Sequence, residues 1–260
     1  MAWAFLSDSV PIYPLYALLF ADQGLSTGQI SSLLLVWSLV GFVAGVPSGA
    51  LADRFSRRHA LAASGAMQAG AYVLWLLWPG YPAFAAGFIL WGLGGALAGG
   101  AFEALLFDGL AAAGSERHYP RVYGRAVAAG HLSQVPVAGA ATVLFATGGY
   151  ALVGWASVTT CLAAAALATR LPTGPAPVRA GAPTVGARRA GAEAGYLAVL
   201  RSGVGEAIHR PRLRGAVLAL AVLGGMDALE ELFPLLARDW GVGVALVPLV
   251  MLGVPLAGAA

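Results

Sequence analysis

Lysine is missing from this chain of 260 residues, and charge of either sign is scarce: 15 Arg face 12 acids, and charged residues make up 10% of the total. A soluble globule carries about 25% charged residues. So few charges cannot cover a water-facing surface. Disorder is excluded as well, because disordered chains are poor in apolar residues. Here hydrophobic residues reach 59%, and the mean hydropathy is +0.77. The single cysteine, Cys161, excludes an intramolecular disulfide and matches no metal-ligand spacing. Repeated strands of alternating polarity are lacking, which argues against a β-barrel. No basic segment precedes the first apolar run, and Asp8 lies inside it, so that run is not a secretory signal. What fits is an integral membrane protein built of helices.

Spanning a hydrocarbon core of ~30 Å takes ~20 apolar residues as a helix. Gln23 to Ala52 is a run of 30 residues without Asp, Glu, Lys or Arg, and His59–Phe102 and Ala126–Thr169 are runs of 44 each. Each longer run holds two helices and a hairpin, marked by Pro79-Gly80-Tyr81-Pro82 and by Gly148-Gly149-Tyr150. The predicted spans are 2–21, 29–52, 60–78, 83–106, 124–147 and 151–169, then about 213–236 and 243–260. Pro11 and Pro14 are expected to kink the first span and Pro136 the fifth. The last span has no polar flank, so the chain is expected to be a fragment or truncated product of a longer protein.

Arginine sets the topology. The connections 53–59, 107–123 and 170–212, with their margins, hold 14 of the 15 Arg, and Arg238 alone falls on the other side. The positive-inside rule makes the first side cytoplasmic, together with the N-terminus. Within 170–212, residues 172–191 read as a flexible Pro/Gly/Ala linker. Residues 196–208 carry Leu197, Leu200, Val204 and Ile208 at helical spacing, either a surface amphipathic helix or an ordinary solvated one. Trp78, Tyr81, Tyr150 and Trp240 lie near predicted outer ends, where interface anchoring is normal. Trp91 lines a cavity or packs against lipid, and Gly92, Gly95 and Gly99 read as a thin face for close helix contact.

Gly49-Ala50-Leu51-Ala52-Asp53-Arg54-Phe55-Ser56-Arg57-Arg58 ends the second span and opens the third. It resembles the loop motif G-x-L-a-D-r-x-G-R-[RK] of the major facilitator superfamily, with Ser56 in place of a common Gly. Six spans, a long cytoplasmic linker and further spans extend the resemblance over the whole chain. It implies an all-α polytopic bundle. Residues 1–169 would form the N-terminal six-helix half, 170–212 the linker, and 213–260 the incomplete start of a second half, built from three-helix inverted repeats. It implies secondary transport of a small solute by alternating access in a bacterial plasma membrane, without ATP or cofactor and without nucleic acid as a partner. By resemblance Gly49, Asp53, Arg54, Arg57 and Arg58 form the cytoplasmic gate motif, with Asp53 and Arg57 contacting the other half. Missing C-terminal helices of a longer chain would complete it. The alternative for the motif is a plain positive-inside cluster. Gly49 also continues Gly41 and Gly45 as a doubled G-x-x-x-G for close packing. The patterns of drug–proton antiporters are weak: span 4 has no Arg, and Gly130–Gly139 with Pro136 only loosely echoes their fifth-helix run.

The acids inside the spans are the candidate solute or proton ligands. Asp8 lies in span 1, Glu103 in span 4 with Asp108 at its edge, and Asp227, Glu230 and Glu231 in span 7. They recur every third span, and the resemblance implies that helices 1, 4 and 7 line a central cavity. An ionised carboxylate at a helix centre costs ~2.5–3.5 kcal/mol on insertion scales, so it faces a cavity or a partner. Asp8, Glu103, Asp227 and Glu230 are the expected cavity carboxylates, and protons the coupling ion that carboxylates make available. The alternative for Glu103, Asp108 and Glu231 is placement at the interfaces or pairing with Arg in missing helices. Two rival classes stay open: a truncated, non-transporting half-transporter and a membrane-embedded enzyme. For the latter, Glu230-Glu231 resembles the E-E-x-x-x-R of intramembrane CAAX-type proteases, but position 235 is Leu235. The four His (His59, His118, His131, His209) have no metal-ligand spacing, so neither a metal nor an enzyme is expected.

Overall fold

The computed structural model describes residues 1–54, 56–171, 215 and 229–253, with no side-chain description for 46–54. Asp227 and the 172–212 segment, including the expected amphipathic helix, lie outside the described residues. All described secondary structure is helical. Four described helical segments are long and apolar enough to cross a membrane: Thr27–Gly45, Arg57–Leu77, Tyr81–Ala112 and Glu116–Thr169.

The first span is not one kinked helix. It is α1 (Ala2–Asp8), a turn over residues 9–15, and α2 (Tyr16–Asp22). Pro11 and Pro14 cause this, since proline has no N–H and disfavours helix at the residue before it. A break inside apolar surroundings leaves backbone groups that must find partners. Ser9 Oγ returns to the Phe5 carbonyl at 2.7 Å. The Ile12 N–H donates to Ser157 Oγ at 3.0 Å, and the Ser157 hydroxyl donates in turn to the Val153 carbonyl at 2.8 Å. Both Ile12 and Ser157 are fully buried.

Long helices follow: α3 (Thr27–Arg54), α4 (Arg57–Leu77) and α5 (Tyr81–Ala112), then a 3-10 turn Glu116–His118 and α6 (Tyr119–Thr169). Ser26 starts α3 through a capping box: its N–H donates to Gln29 Oε1 (2.9 Å) and its Oγ accepts from the Gln29 N–H (3.3 Å). The Gly24–Gly28 stretch spells G-x-S-x-G, but a serine spent on capping, with no strand before it, is no nucleophile elbow. α6 reverses at Gly149, whose φ of 59° and ψ of −156° suit glycine alone, so the 119–148 and 150–169 arms are two of the predicted spans. The 119–148 arm stays helical through Pro136. α4 packs against α5 and α6, α5 against α3, and α1 against α6. Beyond the linker come α7 (Phe233–Asp239), a 3-10 turn and α8 (Val247–Met251).

Aromatic rings from α2, α4 and α5 form the core at the Gly80/Gly149 end. Phe20 meets Phe84 at 4.1 Å and Trp75 at 5.0 Å between centroids, and Tyr16 meets Phe88 at 5.8 Å. At the same end Asp22 accepts from Tyr150 Oη (2.7 Å) and Arg238 (2.8 Å), so the Arg that topology set apart has a partner. This pair is exposed and is worth about 0.2–1 kcal/mol.

The glycine stripes divide by neighbour. A Cβ at Gly41 or Gly45 would meet nothing within 4 Å, so close packing through that doubled G-x-x-x-G is not found among the described residues. A Cβ at Gly65 would lie 2.9 Å from the Cys161 carbonyl, and one at Gly92 would lie 3.0 Å from the Trp37 carbonyl. These two let backbones approach closely, as does Gly94, where a Cβ would lie 3.1 Å from the Ser64 carbonyl. Ser157→Ala is expected to strand the buried Ile12 N–H at a cost of about 1–3 kcal/mol. Thermal unfolding in detergent should show a lowered midpoint for Ser157→Ala and an unchanged one for Gly41→Ala. Equal midpoints would show that the amide does not depend on Ser157.

Candidate functional site

The break in the first span places Asp8 at the end of α1, on the wall of a cavity of about 310 Å³. Residues from α1, the following turn, α4, α5 and α6 line it. Trp3, Tyr13, Trp91, Phe102 and Tyr123 supply aromatic surface, and Ser64 and Gln68 supply polar groups. Trp91 is therefore a cavity residue. Tyr13 stacks on Trp91 with centroids 5.3 Å apart and planes 4° apart, and Trp3 stacks on Phe102 at 5.1 Å and 28°. Gly95 and Gly99 also line the space, and a Cβ at either would meet nothing within 4 Å. They hollow the α5 face there rather than letting a helix approach, unlike Gly92 two turns or less away.

The Asp8 carboxylate makes no hydrogen bond or ion pair with any described residue, and His131 on α6 interacts with it electrostatically. Asp8 Oδ2 packs directly against Gly130 on α6, where a side chain would collide with it. Gly130 is thus a positioning residue for the carboxylate. Gln68 organises another part of the wall: its Nε2 donates to Tyr13 Oη (2.6 Å) and to Tyr72 Oη (3.0 Å). Neither Gly130 nor Gln68 carried a site signal in the sequence beyond the loose glycine echo, since each acts through a partner far along the chain.

The other expected residues are dispersed. Glu103 is exposed and accepts from Tyr123 Oη at 3.2 Å, so it touches the cavity wall through a lining residue. Glu230 is exposed, while its neighbour Glu231 accepts a hydrogen bond from Tyr16 Oη. Asp227 lies outside the described residues. Gly49, Asp53 and Arg54 lie in the last turns of α3, their side chains undescribed. Arg57 opens α4, with Arg58 half-buried beside it. Arg57 Nη1 donates to the Ala104 carbonyl (2.6 Å) and to the Asp108 carboxylate, which ties the loop motif to the end of α5. Among the described residues no group of three or more His, Cys, Asp or Glu could hold a metal ion.

The family model of the Major Facilitator Superfamily matches residues 1–260. The chain belongs to this superfamily. Its all-helical, multi-pass bundle is the superfamily fold, and a solved structure entitled "Crystal structure of D-xylose-proton symporter" superposes with a TM-score of 0.59 at 17% identity. The match covers 99% of this superfamily member and 64% of the symporter, so the chain spans under two thirds of that relative's length. No curated protein matches it.

Gly130→Ala is expected to cost about 1–3 kcal/mol by forcing the Asp8 carboxylate aside. Gly95→Ala, which only enters the cavity, should be nearly neutral. The double change Asp8→Ala/Gly130→Ala should recover most of the loss in a thermal-unfolding cycle. Additive losses would separate Gly130 from Asp8.

Proposed function

We propose that this protein moves a small solute across the plasma membrane by alternating access, as a secondary transporter coupled to protons. The observation that carries this is Asp8: a carboxylate without a hydrogen bond on a discontinuous first span, facing a cavity inside a superfamily bundle. Discontinuous membrane helices place binding groups at mid-membrane, where unwound backbone and half-helix ends reach the solute. A carboxylate in such a chamber can alternate between protonated and ionised states as the chamber opens to either side. Membership of a transporter superfamily and the symporter's fold support the reading.

In this reading Asp8 is the principal solute or proton ligand. Glu103 acts at the cavity edge through Tyr123, and Asp227 and Glu230 would act from the second half. The N-terminus and the Arg-rich connections lie in the cytoplasm. Asp53 and Arg57 would contact the other half at the gate, and Arg57 also ties the motif to the end of α5.

The test uses the complete gene product in liposomes holding a trapped pH dye, challenged in turn with sugars, amino acids, organic anions and organic cations. One class should move protons with wild-type protein, and Asp8→Asn should abolish that proton movement. Arg57→Ala should slow it several-fold while membrane insertion stays normal. Wild-type proton movement in Asp8→Asn would remove the coupling role. Solute flux with no proton movement would remove coupling altogether, and no flux with any class would overturn the transport reading.

A further inference from the structure

The chemistry of the cavity wall narrows the solute class; this step rests on the cavity being the solute site. Asp8 is the sole carboxylate among the described lining residues, and no Arg or His is among them. An anion would meet one carboxylate and no cationic side chain among the described lining residues. A polyol needs many free hydrogen-bond partners, and several of those on the wall are already engaged. Both Gln68 donors go to the Tyr13 and Tyr72 hydroxyls, and the Ser7 hydroxyl donates to the Ala4 carbonyl at 3.0 Å.

What dominates the rest of the wall is a carboxylate and aromatic side chains, beside the unpartnered indole N–H of Trp3. Aromatic faces carry negative potential, and a cation over them gains most where water is excluded. The Tyr13–Trp91 and Trp3–Phe102 stacks both belong to the wall that includes Asp8. All of these groups favour positive charge, while Gly95 and Gly99 leave room for a body larger than a metal ion or a proton. His131 faces Asp8 from α6 but is exposed and is not a lining residue.

We infer that the cavity takes a monovalent organic cation with a compact apolar or aromatic body, its positive centre set against Asp8 and its body among the aromatic stacks. Asp8 then serves charge recognition, and the rings serve both charge and shape. A neutral molecule of the same shape would keep only the apolar contacts.

The probe is benzyltrimethylammonium, titrated at pH 8 and constant ionic strength into the detergent-purified chain, with tryptophan fluorescence as the readout because Trp3 and Trp91 line the site. Benzyl alcohol, benzoate and D-xylose serve as the neutral, anionic and sugar arms. Saturable quenching by the cation alone is expected, weakened at least tenfold in Asp8→Asn and several-fold in Trp91→Leu. The second variant keeps an apolar filler but removes the π face, so it reports even if Asp8→Asn fails to fold by circular dichroism. Saturable binding of benzoate or D-xylose that depends on Trp91, with none of the cation, would overturn the cation class and keep the cavity as the solute site. Cation binding unaffected by either variant, or no saturable binding in any arm, would overturn both.

Discussion

The structure turns on a rule of apolar surroundings: a backbone N–H without a partner is costly, so a broken membrane helix survives only where something accepts its freed amide. Pro11 and Pro14 break the first span, and Ser157, nearly the whole bundle away in sequence, accepts from Ile12. That single contact docks the turn onto the second arm of α6. Once it is docked, α1 runs along the first arm of α6 and delivers Asp8 to the cavity, where Gly130 leaves just enough room for the carboxylate. α2 delivers Tyr16 and Phe20 to the aromatic core. Chamber and core are two sides of one break.

Two ion pairs among the described residues sit at the two ends of the bundle around that break. Arg57 with Asp108 and the Ala104 carbonyl closes the Arg-rich end of α4 and α5. Asp22 with Tyr150 and Arg238 closes the opposite end. Partly exposed pairs of this kind contribute about 1 kcal/mol or less. Contacts of that size do little to hold a fold. Holding falls to packing: Trp75, Tyr72, Phe84 and Phe88 are almost wholly buried, and Gly65 lets α4 and α6 approach to backbone contact.

The second to sixth spans were legible because charge-free runs and Pro/Gly turns report the cost of burying charge and the ease of turning, both local properties. The reversal at Gly149 falls where Gly148-Gly149-Tyr150 announced it. Asp8 was legible for the same reason, as a carboxylate where none should be. The break at residues 9–15 was read as a kink because sequence does not say whether a freed amide has an acceptor, and Ser157 looked like any small polar residue of a span. Glycines were the least legible. Gly92, Gly95 and Gly99 share one spacing, yet Gly92 packs against α3 while the other two face the cavity. Gly41, in the stronger motif, would put a Cβ within 4 Å of no described residue. Helical spacing gives the face but not what stands opposite it.

The central claim is that Asp8 faces an aqueous chamber within the membrane bundle and not lipid. Its most direct measurement is the reactivity of single cysteines, in a Cys161→Ser background, toward a membrane-impermeant cationic methanethiosulfonate. Ala98→Cys sits on the cavity wall, and Leu39→Cys sits on α3 where the native side chain is 59% exposed on an apolar face. The expected result is rapid labelling at position 98, slowed when Asp8 is also changed to Asn, and almost none at position 39. Inert Ala98→Cys beside reactive Leu39→Cys would contradict the chamber.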